Sequence, residues 1–183
     1  MVINTTTSSD DFSRVGYAYL SELVTEEMCN KFTQMMLDKK STGVLAYEGQ
    51  IFHYKNSYGQ GGIAEMEDFL QKLTPVLSER LNLKVKPSNT YARIYYNGST
   101  LKPHVDRPGL DYTMSVTLFS NLKNDWPLVT IDKLGNEVRC NINRRDGLLI
   151  HGTEMNHWRD DLTCAEDEYV VQMFLHWTRI NAL

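Results

Sequence analysis

Apolar residues recur at helical intervals along the first half of the chain. Thr25, followed by Glu26 and Glu27, reads as an N-cap with acids well placed in the first turn. Met28, Phe32, Met35 and Met36 then share one face, which predicts an amphipathic helix ending near Lys40. A second stripe, Met66, Phe69, Leu70, Leu73, Leu77 and Leu81, predicts a helix from Ala64 to Asn82. Pro75 lies inside it and predicts either a kink or a restart with Thr74 as cap. Thr5 to Ser9 reads as a frayed terminus, and residues 1–15 are expected to be flexible. From Asn89 onward the period shortens. Tyr91 to Tyr96, Thr113 to Phe119, Leu128 to Ile131, Glu137 to Ile142, Leu148 to His151 and Tyr169 to Trp177 are short apolar, β-branched or aromatic runs. Turn chemistry separates them at Asn97-Gly98, Asn124-Asp125, Gly135-Asn136 and Asp146-Gly147. Helices first and hairpin strands after predict an α+β, mainly β chain, with helices packed on one face of a β-sandwich or barrel.

A length of 183 residues suits one domain, with residues 16–88 as a helical support region and 89–178 as the β core. The net charge of -4 and sequence pI of about 5.7 disfavour nucleic acid as the principal partner. No apolar run approaches a membrane span, and MVINTTTSSDDFSR lacks the basic and apolar regions of a signal peptide. Cys29, Cys140 and Cys164 are odd in number and widely spaced, so they form neither a disulfide framework nor a zinc knuckle. A cytoplasmic protein is expected.

The most informative segment is Lys102-Pro103-His104-Val105-Asp106. On a strand, His104 and Asp106 point to the same face, so one imidazole and one carboxylate stand side by side. A second histidine from a distant strand would complete a two-His-one-carboxylate triad, with one face of the metal left open. Three histidines lie downstream: His151, His157 and His176. Packing is the better account of His151, which ends an apolar strand, and of His176, which sits beside Trp177. His157 lies in Asn156-His157-Trp158-Arg159, just before the final strand.

Taken in order, these segments resemble the Fe(II)- and 2-oxoglutarate-dependent oxygenases of the prolyl-hydroxylase-like group. Tyr91-Ala-Arg93-Ile-Tyr95-Tyr96-Asn97-Gly98 looks like a strand and Tyr-x-x-Gly turn of that family, and Leu101 to Pro108 like its first metal motif. Ser115 to Phe119 and Trp126 to Leu128 resemble the next strand and its exit. Asp146 to Ile150 with His157-Trp158-Arg159, and Val171 to Trp177, resemble the distal ligand segment and closing strand. Gly16 to Cys29 resembles the family's first strand and helix, so the resemblance spans residues 16 to 178. It implies a double-stranded β-helix, or jelly roll, with N-terminal helices on one sheet. It also implies Fe(II) held by His104, Asp106 and His157, with 2-oxoglutarate as cosubstrate and O2 as oxidant. The implied reaction is hydroxylation of a C–H bond in a peptide, amino acid or small metabolite, with release of succinate and CO2.

One departure matters. The family commonly places a basic residue about ten positions after the distal histidine, to bind the distal carboxylate of 2-oxoglutarate. Here that stretch is Ala165-Glu166-Asp167-Glu168-Tyr169, which would repel a dianion. The resemblance makes Tyr95 and the residue two before it, Arg93, cosubstrate residues; Arg159, two after His157, is the other cation. Arg93 is the first choice because alternation sets it beside the Tyr95 hydroxyl. Thr117 and Gln172 are further neutral donors. Two rival readings keep the jelly roll: a cupin-like metalloenzyme without 2-oxoglutarate, and a non-catalytic binding protein. Residues 43–61, with Tyr47, Phe52, His53, Tyr54 and Tyr58, read as an aromatic lid.

Overall fold

A computed structural model of the chain describes residues 5, 7–48 and 54–180. The two predicted helices are present. Helix α2 (Glu26–Ser41) starts at Thr25, whose side chain accepts from the Met28 amide, and α3 (Ala64–Leu81) follows the second stripe. The buried face of α2 is rotated slightly from the predicted one. Cys29, Phe32 and Met36 are buried, while Met28 and Met35 are only partly covered. Pro75 neither breaks nor restarts α3, because it is exposed and the carbonyl it leaves unbonded belongs to Gln71, which is also exposed. Thr74 is a tie instead of a cap: its hydroxyl donates to the Leu70 carbonyl at 2.7 Å and accepts from the Trp177 indole at 2.8 Å.

Part of the stretch expected to be flexible is helical. Helix α1 (Ser9–Val15) is capped by Ser8 and buries Phe12 completely, a single apolar anchor too isolated to give a period. The support region also contributes strands. These are β1 (Tyr17–Leu20), β2 (Ala46–Glu48) and β3 (Tyr54–Gly61). The remaining strands are β4 (Val85–His104), β5 (Tyr112–Ser120), β6 (Leu128–Ile131), β7 (Glu137–Cys140), β8 (Gly147–Ile150), β9 (His157–Arg159) and β10 (Val170–Arg179). All ladder pairings are antiparallel, in the order β1-β8-β5-β10-β4-β9-β6-β7, with the β2–β3 hairpin added along β4. The fold is the predicted jelly roll, and β4 makes it one. Asn97-Gly98 does not end that strand, as the turn signal suggested. Gly98 takes φ 79° and the strand bends through it, pairing with β10 before the bend and with β9 after it. A single curled strand thus joins a larger sheet, β1-β8-β5-β10-β4, to a smaller one, β4-β9-β6-β7.

Helices α2 and α3 cover the outer face of the larger sheet, where Met66, Leu70, Leu73 and Leu77 meet Ile94, Val116, Met173 and Trp177 in one core. No helix among the described residues is long and apolar enough to cross a membrane. The predicted lid maps to β2 and β3, where Tyr47 and Tyr58 pack at 5.0 Å; Phe52, His53 and the Tyr54 side chain lie outside the described residues.

His151 is part of the packing, stacked on Phe12 at 4.9 Å and edge-on to Tyr112 at 4.6 Å. Burial, chiefly, holds its pKa down to about 4. Burial raises the neighbouring Glu154, but the Lys133 and Arg179 cations outweigh it and bring the carboxyl to about 2. The unfolded chain therefore takes up a proton at His151 near its ordinary 6.5 that the fold refuses until about 4. Stability is expected to fall as pH drops through that interval, and Glu154 extends the loss from 4.5 toward 2. Urea midpoints measured between pH 7 and pH 5 should decline with acid, and His151→Phe should flatten the decline. An identical slope in the variant would exclude His151 as its source.

Candidate metal centre

Strand alternation decides what faces the cleft between the sheets. On β5, Met114, Val116 and Leu118 turn outward to the helices, while Thr113, Ser115 and Thr117 turn inward. On β10, Val171, Met173, Leu175 and Trp177 face the helices, and Gln172, Phe174 and His176 face the cleft. The register aligns Thr113 with His176, Ser115 with Phe174 and Thr117 with Gln172. Polar groups so deeply buried are costly without partners, so a stripe of them marks a cavity wall. A cavity of about 400 Å³ lies against the first two rows, and a smaller one of about 180 Å³ against the third.

The larger cavity contains the clustered donors. His104 ends β4 and His157 opens β9, and the two residues are register partners. Their rings lie 4.3 Å apart. His104 Nδ1 is 2.8 Å from the Lys102 carbonyl and His157 Nδ1 is 2.9 Å from that of Met155. A carbonyl can only accept, so each Nδ1 carries the proton and each Nε2 keeps its lone pair. Both Nε2 atoms lie 3.8 Å from Asp106 Oδ1. That is too long for a hydrogen bond, and is a span that two metal–ligand bonds of about 2.0–2.2 Å can bridge. Ligand atoms of all three residues lie within 4.8 Å of one another. Burial, with the neighbouring His157, pushes the His104 pKa down, which favours the neutral, metal-binding form.

Two residues outside the predicted trio, Thr113 and Gly152, hold this arrangement. The Thr113 hydroxyl donates to Asp106 Oδ2, and the Asp106 amide donates to the Gly152 carbonyl at 2.8 Å. Gly152 is also where the backbone comes closest: a Cβ there would lie 2.3 Å from Asp106 Oδ2 and 2.8 Å from both Leu110 O and Thr113 Oγ1. Of the other histidines, His151 packs outside the cluster. His176 lines the cavity with Nδ1 on the Asn89 carbonyl, its pKa lowered by burial.

The cosubstrate candidates separate. Arg93 lines the large cavity, but its Nε donates to Glu48 Oε2 at 2.7 Å. Tyr91 and Ser57 hydroxyls also donate to that carboxylate. Burial raises the Glu48 pKa, and Arg93 with these donors more than reverses the effect. Nothing in the sequence pointed to Glu48. Arg159 is 3 % exposed, on the same face of β9 as His157, and lines the smaller cavity beside Thr117 and Gln172. Its Nη1 donates to the Trp126 carbonyl, whereas buried Nη2 has no hydrogen-bond partner among the described residues, and neither does Gln172 Oε1. Burial brings the Arg159 pKa to about 10, which leaves it cationic at neutral pH. Tyr95 is 1 % exposed, packed edge-on to Trp126 at 5.0 Å and near enough to interact with the Arg159 charge. Glu168 lines neither cavity; its Oε2 accepts from the Ala165 amide and its Oε1 lies 3.7 Å from Lys123.

No protein-family model matches the chain. No curated protein matches it. Solved structures do. A Pseudomonas putida prolyl-4-hydroxylase superposes with a TM-score of 0.75 at 11% identity, covering 94% of this chain and 97% of its own. The non-haem α-ketoglutarate-dependent carbocyclase SnoK from nogalamycin biosynthesis gives 0.76 at 8% identity, over 96% and 84%. HygX from Streptomyces hygroscopicus, solved with nickel, 2-oxoglutarate and hygromycin B, gives 0.72 at 10% identity, over 96% and 88%. The fold is that of these oxygenases.

Proposed function

We propose that this chain is an Fe(II)- and 2-oxoglutarate-dependent oxygenase that hydroxylates a C–H bond of a small-molecule or peptide substrate. The observation that carries the reading is the donor trio: two Nε2 lone pairs and a carboxylate oxygen turned to one point in a cavity wall. Two neutral nitrogens and one anionic oxygen on one side of an ion suit Fe(II) and leave its other side to ligands. When bound, iron and 2-oxoglutarate supply the oxidising chemistry with O2, with succinate and CO2 as by-products. The structural neighbours, among them a prolyl-4-hydroxylase and an α-ketoglutarate-dependent carbocyclase, support a 2-oxoglutarate-dependent reaction.

The chain's own residues bind, orient and exclude water. Lys102 and Met155 carbonyls fix the imidazole tautomers, and Thr113 fixes the carboxylate. The distal carboxylate of 2-oxoglutarate falls to Arg159 in place of Arg93. Support comes from the buried, unpartnered Nη2, one alternation step from His157, with Thr117 and Gln172 alongside. Arg93, already on Glu48, serves the cavity wall. A reducing, cytoplasmic setting is supported by three free cysteines.

Metal-loaded protein should release succinate from 2-oxoglutarate in air. Arg159→Gln should weaken 2-oxoglutarate binding by roughly 10- to 100-fold, the cost of one charge-assisted contact. Calorimetric titration of 2-oxoglutarate into the Mn(II) form checks this without turnover. A larger loss in Arg93→Gln than in Arg159→Gln would reverse the assignment. Absence of 2-oxoglutarate binding to the wild type would favour the cupin-like reading.

A further inference from the structure

The mouth of the large cavity carries a charge that the proposed site leaves uncancelled. A divalent ion, Asp106, a 2-oxoglutarate dianion and Arg159 sum to neutrality. Arg93 and Glu48 cancel one another at 2.7 Å. Arg107 remains. It follows the ligand Asp106, is exposed, and lines the cavity, with no ion pair or side-chain hydrogen bond among the described residues. Beside it the same wall presents apolar surface: Val105, between the two ligands of β4 and the segment after it, is 50% exposed, and Leu110 lines the cavity with it. A lone guanidinium beside an apolar wall attracts a monoanion, and its planar fork matches a carboxylate.

Building on the oxygenase reading, we propose that Arg107 anchors a carboxylate of the substrate, so that the site takes carboxylic acids whose apolar part lies over Val105 and Leu110, and discriminates against their amides. A free amino acid and a peptide C-terminus present the same group. The test uses full-length protein loaded with Mn(II) and saturating 2-oxoglutarate, without O2. Ligand-observed NMR compares free apolar L-amino acids and a short peptide, each against its carboxamide. Acids are expected to bind roughly tenfold or more tightly than amides. Arg107→Gln should erase that difference, and Arg107→Lys should keep part of it. Whether amino acid or peptide binds better identifies the source. The proposal is overturned if acids and amides bind alike, if no acid binds while 2-oxoglutarate does, or if Arg107→Gln keeps the preference. It is also overturned if Arg107→Gln loses 2-oxoglutarate binding, since Arg107 would then be a cosubstrate residue. Wild-type protein that binds acids selectively but not 2-oxoglutarate would sink the oxygenase reading and leave the Arg107 assignment standing.

Discussion

Asp106→Ala is expected to abolish stoichiometric metal binding while leaving the chain folded. The substitution removes the one carboxylate of the trio and leaves two neutral imidazoles, a set with far less affinity for Fe(II). The loss should exceed the roughly 10- to 100-fold cost of deleting a hydrogen bond that merely supports a ligand. His157→Ala should behave the same way. Metal-to-protein ratios after anaerobic equilibration with Fe(II), and succinate release in air, measure the effect. Circular dichroism separates it from unfolding, because Asp106 sits in the cavity wall with 12% side-chain exposure and contributes no apolar packing. Near-stoichiometric metal in Asp106→Ala, or loss of metal in His151→Ala instead, would mean that the centre is elsewhere.

Gly152→Ala should be nearly as damaging, although it adds a single methyl group. The new carbon would sit 2.3 Å from Asp106 Oδ2, where the carboxylate could swing away only by leaving the Thr113 hydroxyl. It would also sit 2.8 Å from the Leu110 carbonyl, which is backbone and cannot swing. The segment is pinned on both sides, the Gly152 amide donating to Asp111 O at 3.0 Å and its carbonyl accepting from Asp106. Overpacking of this kind costs about 1–3 kcal/mol. Here part of the strain falls on a proposed ligand, so the midpoint of unfolding and the metal affinity should drop together. Wild-type values for both would show that the loop relaxes freely and that Asp106 is not held by it.

The sequence made some of this legible and hid the rest for physical reasons. The helices were readable because their apolar stripes are long and periodic. Helix α1 was not, because one buried Phe12 in a polar heptapeptide has no period. His104 and Asp106 were readable because residues two apart in extended chain share a face, although β4 ends at His104 and Asp106 lies just beyond it. Their meeting with His157 was carried by resemblance, since the β4–β9 register is a tertiary fact. The alternation of Thr113, Ser115 and Thr117 with Met114, Val116 and Leu118 was present in the sequence and marks the cavity wall. It could have singled out Thr113. Glu48 could not have been found, because it lies on a three-residue strand far from Arg93 in sequence. Without it, Arg93 looked like a cation in need of an anion.

The sheet order has a consequence for how the chain acquires its shape. Strand β10 is synthesised after the other nine strands, yet it lies between β5 and β4 in the middle of the larger sheet. Until it is made, β4 and β5 each present an unpaired edge, and Val116 and Ile94 lack the Met173 and Leu175 neighbours that cover the same core. The two halves of the cleft wall can only be set at their final spacing when β10 inserts. Folding is therefore governed by one late, long-range closure, of the kind that is slow and exposes aggregation-prone edges beforehand. Metal added to a nascent chain would find His104 and Asp106 already synthesised but no rigid cleft to hold them, so metal loading belongs after β10 has inserted.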